Sequence, residues 1–166
     1  MSYLDTWKWP ICPKVEGQEI GTTEKQEKTG KELLPCWIKT GADKAMVKFA
    51  EEFAKHLANS QNESNVEPLT TSQLRKFFGA IKQLQQQSYN ESDFVMLNPK
   101  LAYAVGRAKQ SNKNKILRIG DFKEVISSAI DEVSKCEEKM KPTAFRNFIK
   151  FFEAIVAYHK VYGKEK

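Results

Sequence analysis

Apolar side chains recur every three and four residues along most of the chain, which is the spacing of amphipathic helices. The first such stretch predicts a helix over residues 42–58. Its predicted buried face consists of Met46, Phe49, Ala50, Phe53 and Leu57. The polar segment 59–68 that follows predicts a loop, because it contains turn-forming residues and no period.

The second predicted helix opens with a capping box. We expect the Thr70 hydroxyl to accept a hydrogen bond from the backbone N–H of Gln73, whose side chain reaches back to the N–H of Thr70. Leu69 and Leu74 have the spacing of a hydrophobic staple around this start. The helix is expected to bury Leu74, Phe77, Phe78, Ile81 and Leu84.

A third helix is predicted from Pro99 to about Ala108. Asn98 and Pro99 indicate its N-cap and first turn, and a short turn with Phe94 and Leu97 precedes it. The segment SNKNKILRIG that follows is interpreted as a basic loop.

Two more helices complete the predicted set. Asp121 and Glu124 indicate a capping box at the start of the fourth helix. The apolar stripe of this helix is Phe122, Val125, Ile126, Ala129, Ile130, Val133 and Cys136. The last helix begins near Pro142 and ends at Gly163. Its predicted core residues are Phe145, Phe148, Ile149, Phe152, Ile155 and Val156. Because no segment alternates with period two for long, we predict an all-α fold, a compact bundle of about five helices.

The first 40 residues lack this periodicity and contain three of the six prolines. They also contain three tryptophans, at positions 7, 9 and 37. So many large aromatic side chains are unusual in a free tail, and we expect part of the segment to pack on the bundle. The predicted organisation is an irregular N-terminal extension over 1–40 and a single helical bundle domain over 41–166.

The composition is that of a globular domain, with 40% hydrophobic and 29% charged residues in a chain of 166. No apolar run approaches the roughly 20 residues of a membrane span, and the first ten residues lack the pattern of a signal peptide. We therefore expect a cytoplasmic protein with no membrane partner. Three widely spaced cysteines, at positions 12, 36 and 136, do not indicate a disulfide framework.

Positive charge is concentrated in the second half of the chain. The net charge is +6, and no acidic residue lies between Asp93 and Asp121, where six cationic residues fall. A one-signed stretch of this length is typical of a protein that binds a polyanion. A solvated basic surface that improves solubility is the alternative.

Basic side chains also repeat along single helix faces. By helical spacing, Arg75 and Lys82 share one face, and Lys100, Tyr103 and Arg107 share another. Together with the basic loop and the last helix, the candidate nucleic-acid-binding set is Arg75, Lys76, Lys82, Lys100, Tyr103, Arg107, Lys109, Lys113, Lys115, Arg118, Arg146 and Lys150. Cations spaced one or two turns apart suit a phosphate backbone and do not read bases.

Two aromatic residues have two interpretations. Phe151 lies outside the predicted apolar face of the last helix. Tyr103 and Phe151 either stack on bases or cover the core.

Signals for catalysis are weak, since the sequence contains no glycine-rich phosphate loop, no His-Glu-x-x-His and no Cys-x-x-Cys. Cys136 lies on an apolar stripe and is interpreted as a buried thiol. A site built from Cys12, Cys36 and a histidine is the alternative that would make the protein a small enzyme. We expect no catalytic residues, no bound metal and no cofactor.

Three runs, taken together in this order and spacing, resemble a known family. They are LTTSQLRKFFGAIKQL (69–84), NPKLAYAVGR (98–107) and FFEAIVAYHKVYG (151–163). The chain resembles the small helical subunit of type III-A CRISPR–Cas effector complexes, the Csm complexes, over about 42–163. Arg75 and Arg107 occupy the positions at which the first two motifs hold a basic residue.

This resemblance implies an all-helical subunit without a known catalytic role, present in more than one copy per complex. The copies are expected to stack along the duplex of crRNA and target RNA, against the other subunits of the complex. A helical module that binds only proteins, through acidic partner surfaces, is the alternative. The resemblance leaves residues 1–40 without an assigned role.

Overall fold

The computed structural model describes residues 2–11, 26–59 and 61–163, and most of them are helical. The α-helices are α1 (Tyr3–Thr6), α2 (Gly30–Thr40), α3 (Lys44–Leu57), α4 (Thr71–Gln85), α5 (Glu91–Val95), α6 (Leu97–Ser111), α7 (Arg118–Ser134) and α8 (Lys141–Tyr162). The strands are β1 (Lys8–Ile11), β2 (Gln26–Thr29), β3 (Val66–Glu67) and β4 (Ile116–Leu117). A single 3-10 turn, Glu138–Met140, precedes α8. The predicted all-α class is confirmed, and each of the five predicted helices is present.

Helix α8 is the centre of the bundle. Helices α2, α3, α4 and α7 all pack on it. All six core residues predicted for this helix are buried. Phe151 is also fully buried, because its ring lies 6.0 Å from that of Trp37 on α2 and 5.8 Å from that of Phe49 on α3. Of its two interpretations, the structure therefore supports the one in which Phe151 belongs to the core, since α2 covers a second face of α8.

The capping box at the start of α4 is confirmed. The backbone N–H of Gln73 donates to the Thr70 hydroxyl at 3.1 Å, and the N–H of Thr70 donates to the Gln73 side chain at 2.9 Å. Leu69 and Leu74 are both buried, as expected of a hydrophobic staple. The predicted face of α3 is buried as well, and Asp43 caps that helix.

The starts of α6 and α7 differ from the predictions. Helix α6 begins two residues before Pro99, because the preceding short helix α5 leads directly into it, and Asn98 lies inside the helix rather than at its cap. Helix α7 begins at Arg118 without a side-chain cap, so the capping box predicted at Asp121 is absent.

The segment predicted as a basic loop is partly regular. Its last three residues form the start of α7, and β4 pairs in parallel with β3, with Val66 opposite Ile116. This pairing joins the loop before α4 to the loop before α7. Strands β3 and β4 have two residues each, which is too short to show a period of two. The hydrophobic pattern therefore did not predict them.

The N-terminal segment is more regular than predicted. Strands β1 and β2 form an antiparallel pair, and α2 follows directly, with Pro35 inside the helix. Five of its apolar side chains belong to the core: Leu4, Trp7, Leu34, Trp37 and Ile38. The expectation that the tryptophans pack on the bundle is confirmed for Trp7 and Trp37, which are buried.

Polar contacts attach this segment to the bundle. The buried side-chain amide of Asn147 on α8 donates to the carbonyl of Ile38 at 2.8 Å, near the end of α2. The indole N–H of Trp7 donates to Glu52 on α3. Gly41, which ends α2, has φ of +101°, a conformation that favours glycine.

His159 lies in the last turn of α8. Its ring is fully buried, and Nε2 donates to the carbonyl of Leu69 at 2.8 Å, while Nδ1 has no hydrogen-bond partner. A Cβ at Gly163 would lie only 2.7 Å from the ring, which explains why the helix ends at a glycine. Burial lowers the pKa of His159 from its ordinary value of 6.5, and the Leu69 carbonyl opposes this in part.

We expect this histidine to make folding sensitive to mild acid. The unfolded chain binds a proton at His159 before the folded chain does, so the free energy of unfolding decreases as the pH falls below about 6.5, by at most about 1.4 kcal/mol per pH unit. His159→Gln keeps a donor for Leu69 and removes the titration, so its free energy of unfolding should fall less from pH 7 to pH 5. Urea denaturation at several pH values measures the free energy of unfolding of the wild type and of the variant. An equal decrease in the two proteins between pH 7 and pH 5 would contradict the expectation.

Candidate nucleic-acid interface

A groove lies between α4 and α6, with a volume of about 420 Å³. Helix α4 packs on α8, whereas α6 packs on α7, so the two helices are held by different neighbours. Three alanines line the space between them, Ala80, Ala104 and Ala108. Because alanine side chains are short, the space stays open. We call this cavity the α4–α6 groove.

The rim of the α4–α6 groove is cationic. Lys76 on α4 and Lys100 and Arg107 on α6 line it, and all three are exposed. None of the three forms an ion pair with another described residue. Tyr103, one turn from both Lys100 and Arg107, also lines the groove and is 71% exposed. The structure thus brings together four of the predicted site residues from two helices.

A second basic cavity adjoins the groove. Lys109, Lys113 and Lys115 line it, and it shares Asn112 and Leu117 with the α4–α6 groove. The shared residues show that the two cavities are neighbours on one surface. We refer to Lys76, Lys100, Arg107, Lys109, Lys113 and Lys115 as the basic surface.

A single carboxylate lines these two cavities among the described residues. It belongs to Glu67 and accepts from Lys115 at 3.0 Å. The other cations of the surface therefore face solvent with little compensation, which produces a positive potential along the groove. The absence of acids between Asp93 and Asp121 is the sequence feature behind this imbalance.

Lys82 lies away from the α4–α6 groove. It shares a face of α4 with Arg75, as predicted, but neither residue lines the groove. The Lys82 ammonium lies 2.6 Å from a carboxylate oxygen of Glu153 on α8 and above the ring of Phe78. An ammonium held in this way is less available to a phosphate. Arg75 is exposed.

Arg118 is also held within the fold. Its side chain is only 13% exposed, and its guanidinium lies 3.6 Å from Glu63 and 3.5 Å from Asp121. The same Asp121 carboxylate is 2.7 Å from Nε2 of His56. Arg118, Glu63 and His56 line a separate polar cavity with Tyr3, and burial raises the pKa of the Tyr3 hydroxyl.

Two further candidates lie on α8. Arg146 and Lys150 are exposed one turn apart, and neither lines the α4–α6 groove. Arg146 donates to the Thr143 hydroxyl at 3.5 Å. The twelve predicted site residues therefore divide into seven around the two adjoining cavities and five elsewhere.

Sequence reasoning missed four polar or charged residues of the groove, Glu67, Gln73, Ser111 and Asn112. The sequence indicates Gln73 only as a member of the capping box, but in the structure the same residue also lines the groove. Ser111 lies on the same face of α6 as Arg107 by the four-residue spacing, which is the signal that would have found it.

The described residues bring together no group of three or more His, Cys, Asp or Glu side chains suited to hold a metal ion. Cys36 is exposed, and Cys136 is half-buried with its thiol 3.3 Å from the carbonyl of Glu132. Cys12, the remaining member of the alternative metal site, lies outside the described residues.

These features define a small all-α bundle with a cationic groove between two of its helices. A comparison with protein-family models matches residues 41–165 to the family described as Csm2 Type III-A, and the chain belongs to that family. It is thus a small subunit of the type III-A Csm complex of CRISPR systems, from a structural subunit family, and it associates with other Csm subunits. The family resemblance of the three sequence runs is confirmed.

The family match begins at residue 41, so α1, α2 and the β1–β2 pair lie before it. Comparisons with curated proteins and with solved structures gave no match to this chain. No helix in the part of the chain that the structure describes has both the length and the apolar composition to cross a bilayer.

Proposed function

We propose that this subunit lines and stabilises the duplex of crRNA and target RNA within the Csm complex, through contacts to the phosphate backbone. The observation that supports this is the basic surface, in which Lys76 on α4 faces Lys100 and Arg107 on α6. Such an arrangement presents cations from two helices to one polyanionic chain. It reads no base sequence in the duplex, because cations on a rim contact phosphates.

The proposed role is structural rather than catalytic. In it, several copies of the chain lie along one duplex in the cytoplasm and contact one another and the other Csm subunits. Arg75, Arg146 and Lys150 are exposed away from the groove and suit contacts to a neighbouring subunit or to a second stretch of RNA. Lys82 and Arg118 are omitted from the proposed RNA-binding set, because carboxylates hold them and neither lines the groove or the adjoining cavity. Lys115 is kept, although it is paired with Glu67, because it lines the adjoining cavity.

The salt dependence of RNA binding tests this proposal. If the six cations of the basic surface contact phosphates, the logarithm of the association constant plotted against the logarithm of salt concentration should have a slope of about −4 to −5. Filter binding of an RNA duplex between 50 and 300 mM KCl measures it. RNA duplexes of unrelated sequence should bind with equal affinity.

A slope near zero, or no binding at the lowest salt, would contradict the proposal. The chain would then be a module that binds proteins alone. A pull-down of the Csm subunits with and without ribonuclease distinguishes the two, since association through RNA is lost on digestion and association through protein surfaces is not.

A further inference from the structure

The floor of the α4–α6 groove has a chemistry that phosphate binding does not use. Phe77, Ala80, Ala104 and Leu117 line it beneath the cationic rim. Phosphates are strongly hydrated, and an apolar surface offers them no interaction. At about 420 Å³, the groove is within the range of ligand pockets, which are ~300–1,000 Å³. An apolar, concave floor of this size suits a flat organic group.

Tyr103 is positioned to cover such a group. Its side chain is 71% exposed, which makes it the most exposed aromatic side chain among the described residues, and it lines the groove. Lys100 lies one turn before it on α6 and Arg107 one turn after it. An exposed aromatic ring flanked by cations is how proteins hold unstacked bases, with the base on the ring and the phosphates on the cations.

Polar groups for a base edge are present in the same cavity. The side-chain amides of Gln73 and Asn112 and the hydroxyl of Ser111 line the groove. An amide side chain presents both donors and an acceptor, as the edges of bases require. Each of the three groups already makes one hydrogen bond within the fold: the Gln73 oxygen accepts from the N–H of Thr70, the Asn112 amide donates to the carbonyl of Ala108, and the Ser111 hydroxyl donates to the carbonyl of Arg107. The amide N–H groups of Gln73 and the side-chain oxygen of Asn112 remain for a base edge. The groove therefore combines an apolar floor, a stacking ring, flanking cations and a few hydrogen-bonding groups.

We propose that the α4–α6 groove holds one unpaired nucleotide of the bound RNA, with its base against Tyr103 and its flanking phosphates on Lys100 and Arg107. This inference rests on the proposed RNA-binding function. An acidic amphipathic helix of another subunit is the other occupant that an apolar floor and basic rim would admit. The nucleotide is favoured because the ring and its two cations follow one another along a single helix face.

The test compares wild-type protein with Tyr103→Ala and Tyr103→Phe on three RNA duplexes. One duplex is fully paired, the second carries a single unpaired nucleotide, and the third carries an abasic ribose at that position, which keeps the phosphate and removes the base. Wild type and Tyr103→Phe should bind the second duplex about 5- to 100-fold more tightly than the third. For Tyr103→Ala this ratio should fall to about 1.

Equal binding of the second and third duplexes by wild-type protein would overturn the inference and leave the proposed function intact. So would a Tyr103→Ala variant that binds all three duplexes more weakly by the same factor. Loss of subunit association in Tyr103→Ala with every RNA affinity unchanged would assign the groove to a partner helix instead. If wild-type protein binds no RNA, the proposed function itself fails. Circular dichroism of each variant confirms that the fold is retained.

Discussion

A chain reduced to residues 41–166 is expected to lose its cooperative thermal transition, although the family match covers nearly all of that range. The deletion removes five buried side chains, two of them tryptophans. Removing one large core side chain costs about 2–5 kcal/mol. Five such losses, about 10–25 kcal/mol, equal or exceed the ~5–15 kcal/mol of free energy that stabilises a typical domain. In the full chain Trp37 covers the rings of Phe49 and Phe151, and in the fragment these rings would be exposed to water.

Circular dichroism melts of the full chain and of the 41–166 fragment measure this effect. Because the apolar surface exposed by the deletion would also favour aggregation, two point variants of the full chain make the test sharper. Trp37→Ala should lower the free energy of unfolding by about 3–5 kcal/mol. Lys39→Ala, an exposed change on the same helix, should alter it by no more than about 0.5 kcal/mol. A fragment that melts cooperatively near the temperature of the full chain would show that residues 1–40 are an accessory segment.

The triple variant Lys76→Glu, Lys100→Glu and Arg107→Glu is expected to bind RNA duplex about 100- to 1,000-fold more weakly than wild type at 0.1 M salt. Each phosphate contact contributes about 0.7–0.9 to the slope of log affinity against log salt, and therefore roughly a factor of five to ten at 0.1 M salt. The slope should become less negative by about 2 to 3. All three side chains are exposed, so the melting temperature should change little.

A matched control separates the groove from net charge. Lys39, Lys44 and Lys139 are exposed, and none lines the basic surface. Their replacement by glutamate changes the net charge by the same amount as the groove variant. We expect this control to weaken RNA binding by less than about tenfold. Equal losses in the two triple variants would show that overall charge, rather than the α4–α6 groove, determines RNA binding.

Local signals were sufficient for most of the helices. In α4, the capping box, the staple and the period of three and four residues all involve neighbours within a few positions, and each is present in the structure. Helix α2 was not predicted, because Pro35 within it and Gly30 at its start suggest a break when only local preferences are considered. Packing of Trp37 and Ile38 against α8 stabilises the helix around that proline.

The site was predictable within single helices and less so between them. The spacing on α6 placed Lys100, Tyr103 and Arg107 on one face, and the structure places all three along the groove. Helical spacing alone did not show that Lys76, rather than its neighbour Arg75, lines the same groove. It also did not show that Glu153, 71 residues away along the chain, accepts from Lys82.

The sequence by itself determined the helical class, most of the faces that are buried and the excess of cations in the second half of the chain, because each depends on residue type and on spacing along one element. The tertiary structure decided which cations remain available. That choice depends on which carboxylates other helices bring within about 4 Å, and on where α4 and α6 separate to leave the groove. Contacts between distant segments form only when the chain packs, so no local pattern specifies them.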